Sequence, residues 1–213
     1  MVGAVAVAAW TGLVLQADLS FTGMLANGLK LSDALIRFFS YFTILTNCFI
    51  AADCTYLFLT GETKWSRSDF HVSLESCFAV SIFFVSAGYT ILLRHLLHLS
   101  GAALVANSIL HYAVPSLFLL YWFIFASRHR LPWIHASWWA VYPFAYFLYA
   151  LVQGWRTGLY PYPFIDAARI GYRNALVNGT TLLVLFWLAG FIFIALGRLH
   201  HRRRTARSES RAR

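Results

Sequence analysis

TLLVLFWLAGFIFIALG, residues 181–197, runs for seventeen residues without a charge, and the arginine-rich RLHHRRRTARSESRAR, residues 198–213, follows at once. Extended back to Arg173, the run is 25 residues long. A bilayer core about 30 Å thick takes roughly 20 apolar residues per helix. An apolar helix ending in a block of arginine reads as a membrane span with its cationic end in the headgroups.

Upstream, five further apolar runs cover about 2–22, 34–59, 71–93, 101–126 and 134–153, separated by short segments carrying Gly, Pro and charge. The whole chain is 213 residues, 60% hydrophobic, 18% aromatic and 12% charged, too apolar for a water-exposed globular domain. The expected fold is therefore all-α: a polytopic bundle of about six transmembrane helices over residues 1–197, then a basic, disordered tail over 198–213. No basic residue precedes Val2–Leu15 and more apolar runs follow it, so it reads as the first span rather than a cleaved leader.

An even number of spans puts both termini on one side. With the termini inside, the inner segments hold 11 Lys and Arg residues (Lys64, Arg67, Arg128, Arg130 and seven in the tail) against 6 outside. The positive-inside rule then places both termini in the cytoplasm of a multi-pass cell-membrane protein. The tail's charge directly follows a span, so it points to anionic lipid headgroups, not nucleic acid. Cys48, Cys54 and Cys77 form no CxxC pair and read as packing residues.

Polar residues inside apolar spans are costly unless they face another helix or a cavity, so they mark the bundle interior. In the second run Ser40, Thr43 and Asn47 recur at i, i+3 and i+7, on one face of a continuous helix, with Thr46 beside them. The fourth run answers with Asn107 and His111 at i and i+4, and Pro115 follows. A proline cannot donate to the carbonyl four residues earlier, so a kink is expected at His111. Tyr142, Tyr146, Tyr149 and Gln153 line a face of the fifth run; Asn174 and Asn178 open the sixth. At about 1.5 Å per residue, Ser40 lies about 10 Å and His111 about 15 Å below their helix starts, a similar depth in the outer half.

A neutral imidazole beside a hydroxyl is the minimum for nucleophilic acyl transfer: the ring takes the proton and the oxygen attacks a carbonyl. Ser40 and Thr43 are both candidate nucleophiles and His111 the base. Asn47 or Asn107 is positioned to donate to an oxyanion or bind substrate. A site in lipid favours lipid-like esters, and the expected partners are membrane lipids and a lipid-like small molecule. The same residues also suit a noncatalytic solute or proton-coupled transport site, or plain interhelical glue. Asp18, Asp53 and Glu75 are expected to snorkel or to pair with Lys or Arg. His95, His98, His129, His135, His200 and His201 match no metal motif, so neither a metal nor a cofactor is expected.

Arg37-Phe38-Phe39-Ser40-Tyr41-Phe42-Thr43, the Asn107-x-x-x-His111 pattern with its proline, and Tyr162-Pro163-Phe164-Ile165-Asp166 together resemble the androgen-induced membrane hydrolases. The resemblance implies a six-span protein and an atypical threonine hydrolase in which a Thr and a His cleave fatty acid esters of hydroxy fatty acids. It implies His111 as the histidine. Ser40 stands at the family's Thr position when the basic residue and aromatics are aligned, with Thr43 one turn on as the alternative. Tyr160, Tyr162 and Phe164, alternating with Pro161 and Pro163, read as an interfacial aromatic belt in a stiff outer loop.

Overall fold

The computed structural model describes residues 1–212 apart from 62, 64, 65, 67 and 126–129, and describes side chains through residue 201. Several cations in the inner-side count, Lys64, Arg67, Arg128 and the tail from Arg202 on, lie outside the described residues or side chains. The segment expected to be disordered, 198–213, is described in its backbone through Ala212, as the end of the last helix, and in its side chains only to His201.

The described chain is all-α. Helix α1 spans Val2–Ala26, α2 Leu31–Phe39, α3 Phe42–Thr60 and α4 Asp69–Gly88. A π turn, Tyr89–Leu93, and a short 3₁₀ turn, Arg94–Leu96, prolong α4. Helix α5 (Gly101–Ser108) joins α6 (Val114–Ile124) through a second π turn, Ile109–Ala113. Helix α7 covers His135–Thr157, and after a 3₁₀ turn at Pro163–Ile165 come α8 (Ala167–Ile170) and α9 (Tyr172–Ala212).

Among the described residues five helical stretches are long and apolar enough to cross a membrane: Val2–Ala26, Phe42–Thr60, Asp69–Leu96, Gly101–Ile124 and Tyr172–His201. Helix α7, at 23 residues, has the length but is less apolar, because Tyr, Trp, Pro and Gln interrupt its aliphatic content.

The bundle packs α1 on α3, α4 on α3, α6 and α9, and α7 on α9. Helix α4 is the central one, with the largest buried share of the five apolar stretches. Its Val80 and Ile82 join Val5, Ile50, Ala51, Leu110, Phe118 and Phe186 in one core. The outer surface is apolar too: Val7, Leu59, Ile91, Trp138 and Trp155 are all widely exposed. An apolar exterior around a packed apolar core is the distribution a lipid solvent requires. Polar groups pair between helices, in the interior as Trp122 to Ser76 Oγ (2.9 Å) and on the exposed face as Trp10 to Thr55 Oγ1 (3.0 Å) and Trp187 to Ser137 Oγ (3.1 Å). Arg198, first of the tail arginines, donates from Nη2 to the Leu131 carbonyl at 2.9 Å, which fastens the end of the last span to the segment before α7.

Two departures from regular helix shape the interior. The first corrects the continuous span expected over 34–59: the helix breaks at Ser40 and Tyr41, where Tyr41 is extended (φ −89°, ψ 127°). Ser40 ends α2 by turning its hydroxyl onto the Arg37 carbonyl at 2.7 Å, the local competition through which serine disrupts helices. Ser40 and Thr43 therefore do not share one helical face. The second answers the missing donor of Pro115. The helix closes the π turn, with the Val114 N–H bonded to the Ile109 carbonyl, instead of breaking.

Candidate functional site

The break after Ser40 makes Thr43 the second residue of a new helix. Its backbone N–H belongs to the first turn, where no carbonyl of its own helix is available. That N–H finds the phenolic oxygen of Tyr162, 3.4 Å away and 119 residues on. The Thr43 hydroxyl, 92% buried with the rest of the residue, lies 3.3 Å from Nε2 of His111.

His111 occupies the π turn between α5 and α6. Its Nδ1 lies 3.0 Å from the Asn107 carbonyl oxygen. A carbonyl only accepts, so Nδ1 carries the proton and Nε2 of the neutral ring presents a lone pair to the Thr43 hydroxyl. The Asn107/His111 spacing thus acts through the backbone of Asn107 rather than its amide. The opposite π turn, in α4, supplies Tyr89, whose ring packs on the imidazole with centroids 4.2 Å apart and planes inclined by 34°. Gly12 allows α1 to approach this turn; a Cβ there would come within 2.8 Å of Leu110.

Of the two candidate nucleophiles, Thr43 reaches His111. Ser40 spends its hydroxyl proton on Arg37, and its carbonyl accepts from the Tyr146 hydroxyl at 2.8 Å. Asn47 is buried, but its amide donates to the Thr43 carbonyl at 2.8 Å and the Leu110 carbonyl at 3.4 Å. Both its N–H donors are used in fastening α3 to the π turn, so it has none left for an oxyanion. Asn107 lines a cavity beside His111. Thr46 pairs with Tyr142 at 3.1 Å; Asn174 and Asn178 bond the Ile170 and Phe164 carbonyls and hold the loop before α9.

In the sequence Tyr162 reads as part of an aromatic belt. In the structure its ring turns inward, stacked on Phe164 (5.1 Å, 7°) and edge-on to Tyr41 (5.9 Å, 82°). Burial raises the phenol's pKa above its ordinary value, so it remains a neutral O–H. The density of Pro and aromatic residues from Tyr160 to Phe164, and the Tyr162–Asp166 stretch that carries part of the resemblance, mark this loop in the sequence without giving its tyrosine a role.

Thr43, Tyr89, Leu93, His111 and Tyr162 line two cavities at once. One, of about 120 Å³, runs among α3, α4, α7 and α9 between Phe42, Phe84, Phe147 and Phe186. The other, of about 420 Å³, lies toward α1, α2 and α5 and includes Gln16, Ser20 and Asn107. The hydroxyl–imidazole pair sits at their junction, the apolar cavity on one side and the more polar one on the other.

A separate buried cluster was not foreseen. Asp53 and Glu75, expected to snorkel or pair with Lys or Arg, instead converge on His71, at 2.8 Å from Nε2 and 3.7 Å from Nδ1. The ring of His71 falls between them because α3 and α4 cross there, a relation that sequence spacing does not encode.

In comparisons with known proteins, no family model, no curated protein and no solved structure matches this chain.

Proposed function

We propose that this protein is a membrane-embedded hydrolase of lipid-like esters, with Thr43 as nucleophile and His111 as general base. The observation that carries the reading is the 3.3 Å approach of the Thr43 hydroxyl to an Nε2 whose lone pair is defined by the Nδ1–Asn107 bond. The resemblance to the androgen-induced membrane hydrolases supports the same chemistry and a Thr–His pair. We take α7, whose 23 residues are long enough to cross, as the fifth of six spans; with six, the charge bias of the loops favours cytoplasmic termini.

In the first half-reaction the Thr43 Oγ1 attacks the ester carbonyl while its proton passes to Nε2 of His111. The tetrahedral oxyanion accepts a hydrogen bond from the Tyr162 phenol, whose oxygen is already held by the Thr43 N–H. Collapse breaks the bond to the alcohol oxygen, which leaves with the proton from His111, and acyl-Thr43 remains. Water attacks the acyl carbon, giving its proton to His111. Collapse then releases the fatty acid and returns the proton to Thr43. The apolar cavity suits the acyl chain, and the more polar one suits the alcohol portion and the incoming water. A backbone carbonyl orients His111 in place of a carboxylate, so the pair works as a dyad.

The test is labelling of the purified, detergent-solubilised protein by a fluorophosphonate, alongside release of fatty acid from lipid esters. Labelling lost in both Thr43→Ala and His111→Ala but kept in Ser40→Ala supports the dyad. A folded wild type that neither labels nor releases fatty acid overturns the reading and leaves a solute-binding or transport role for the cavities.

A further inference from the structure

Asp53 and Glu75 place two carboxylates inside the bundle, and among the described residues no lysine or arginine pairs with either. The side chains of His71 and Glu75 are 1% and 4% exposed and that of Asp53 10%. With both carboxyl groups ionised, even a protonated His71 leaves these three described residues net negative in a dry interior, a costly arrangement. A divalent cation with a neutral His71 would balance the cluster to zero.

The donor atoms are disposed for such an ion. Asp53 Oδ1 accepts from His71, while its Oδ2 is fully buried with no hydrogen-bond partner among the described residues. Glu75 accepts the Tyr121 hydroxyl on Oε1 at 2.7 Å, which leaves Oε2 turned toward His71. One donor atom from each of the three residues lies within 4.8 Å of the other two. His71 and Glu75, at i and i+4, come from one face of α4, and Asp53 comes from α3, eighteen residues before His71. A phenol holding the far oxygen of a ligating carboxylate is the outer support that metal sites use.

We propose that Asp53, His71 and Glu75 bind one divalent transition-metal ion of the zinc class, which clasps α3 to α4. Two carboxylate oxygens and one imidazole nitrogen form a mixed O/N donor set that suits zinc and its neighbours better than magnesium or calcium. Asp53 lies ten residues beyond Thr43, about 15 Å along α3. The clasp is therefore separate from the hydroxyl–imidazole pair and stands whether or not the ester chemistry holds.

The experiment uses full-length protein purified in detergent without a histidine tag, stripped with a chelator and then equilibrated with Zn²⁺ or Co²⁺. One metal per chain is expected, with visible Co²⁺ absorption, and the exposed-site variant His95→Ala should bind equally. The near-isosteric Asp53→Asn and Glu75→Gln should lose the metal, and Tyr121→Phe should weaken binding about 10- to 100-fold. Wild type should also melt at higher temperature with Zn²⁺ than after chelation, a readout that needs no variant. Clearly substoichiometric metal in wild type, an unshifted melting point, or full retention of metal by both carboxylate variants overturns the proposal. In the last case the ion would sit adventitiously elsewhere.

Discussion

Tyr89 and His111 stack across two π turns, one prolonging α4 and the other joining α5 to α6, with ring centroids 4.2 Å apart. A π turn carries one residue more than an α turn, which changes where the following side chains point and widens the helix locally. Each turn delivers one ring, and together they fix the imidazole plane that faces Thr43.

Pro115→Ala restores a backbone donor and allows α5 and α6 to join in regular α geometry. His111 would then rotate about its helix axis, away from Thr43. Ester hydrolysis is expected to fall by at least about 10-fold, since small misplacements of a catalytic group cost that much or more, while the melting temperature stays level or rises. Activity near wild type would mean that the π turn does not depend on the proline.

Thr43→Ser keeps the hydroxyl and is expected to retain labelling and turnover. Thr43→Ala is expected to abolish acyl-enzyme formation. His111→Gln keeps the site polar but removes the base, and should slow turnover by about 10²- to 10⁴-fold. Intact-mass detection of an acylated chain after rapid quenching separates these variants. Acyl adduct on Ser40 in wild type would move the nucleophile.

Tyr162→Phe removes one proton donor and leaves the ring stacked on Phe164. Loss of an oxyanion donor costs about 10²- to 10³-fold in kcat with little change in KM. Steady-state kinetics on one lipid ester measures the split. A rise in KM alone would make the ring a wall of the cavity and nothing more.

Gly179 faces Phe147 so closely that a Cβ would come within 2.2 Å of its ring, and both residues line the apolar cavity. Gly179→Val must push Phe147 into the cavity or part α9 from α7. Hydrolysis of long-chain esters should drop more than that of short-chain esters. Equal loss for both lengths would assign the glycine to helix packing alone.

The residues that matter here were visible in the sequence to unequal degrees. Thr43, His111 and Asn47 stood out because each is a polar residue in an apolar run, and such residues must meet one another or a cavity. Tyr162 was hidden by its company, since tyrosine near a span end ordinarily marks the interface. His71 carried no signal of its own, lying two residues into α4, and its two carboxylates looked like isolated charges on separate spans.

What the sequence determined by itself was the solvent: long apolar runs with charge confined to their ends are a local property, and a bilayer is the environment in which they are stable. It also determined that Pro115 would disturb the helix carrying His111, because the lost donor is a covalent fact. Tertiary structure decided which hydroxyl the histidine meets. The choice between Ser40 and Thr43 turned on a helix break, where a serine hydroxyl bonded to Arg37 leaves Tyr41 extended and starts α3 afresh. Tertiary structure also decided the inward turn of Tyr162 and the convergence of Asp53, His71 and Glu75. Those relations join residues from separate elements, and packing, not sequence spacing, sets the distances between them.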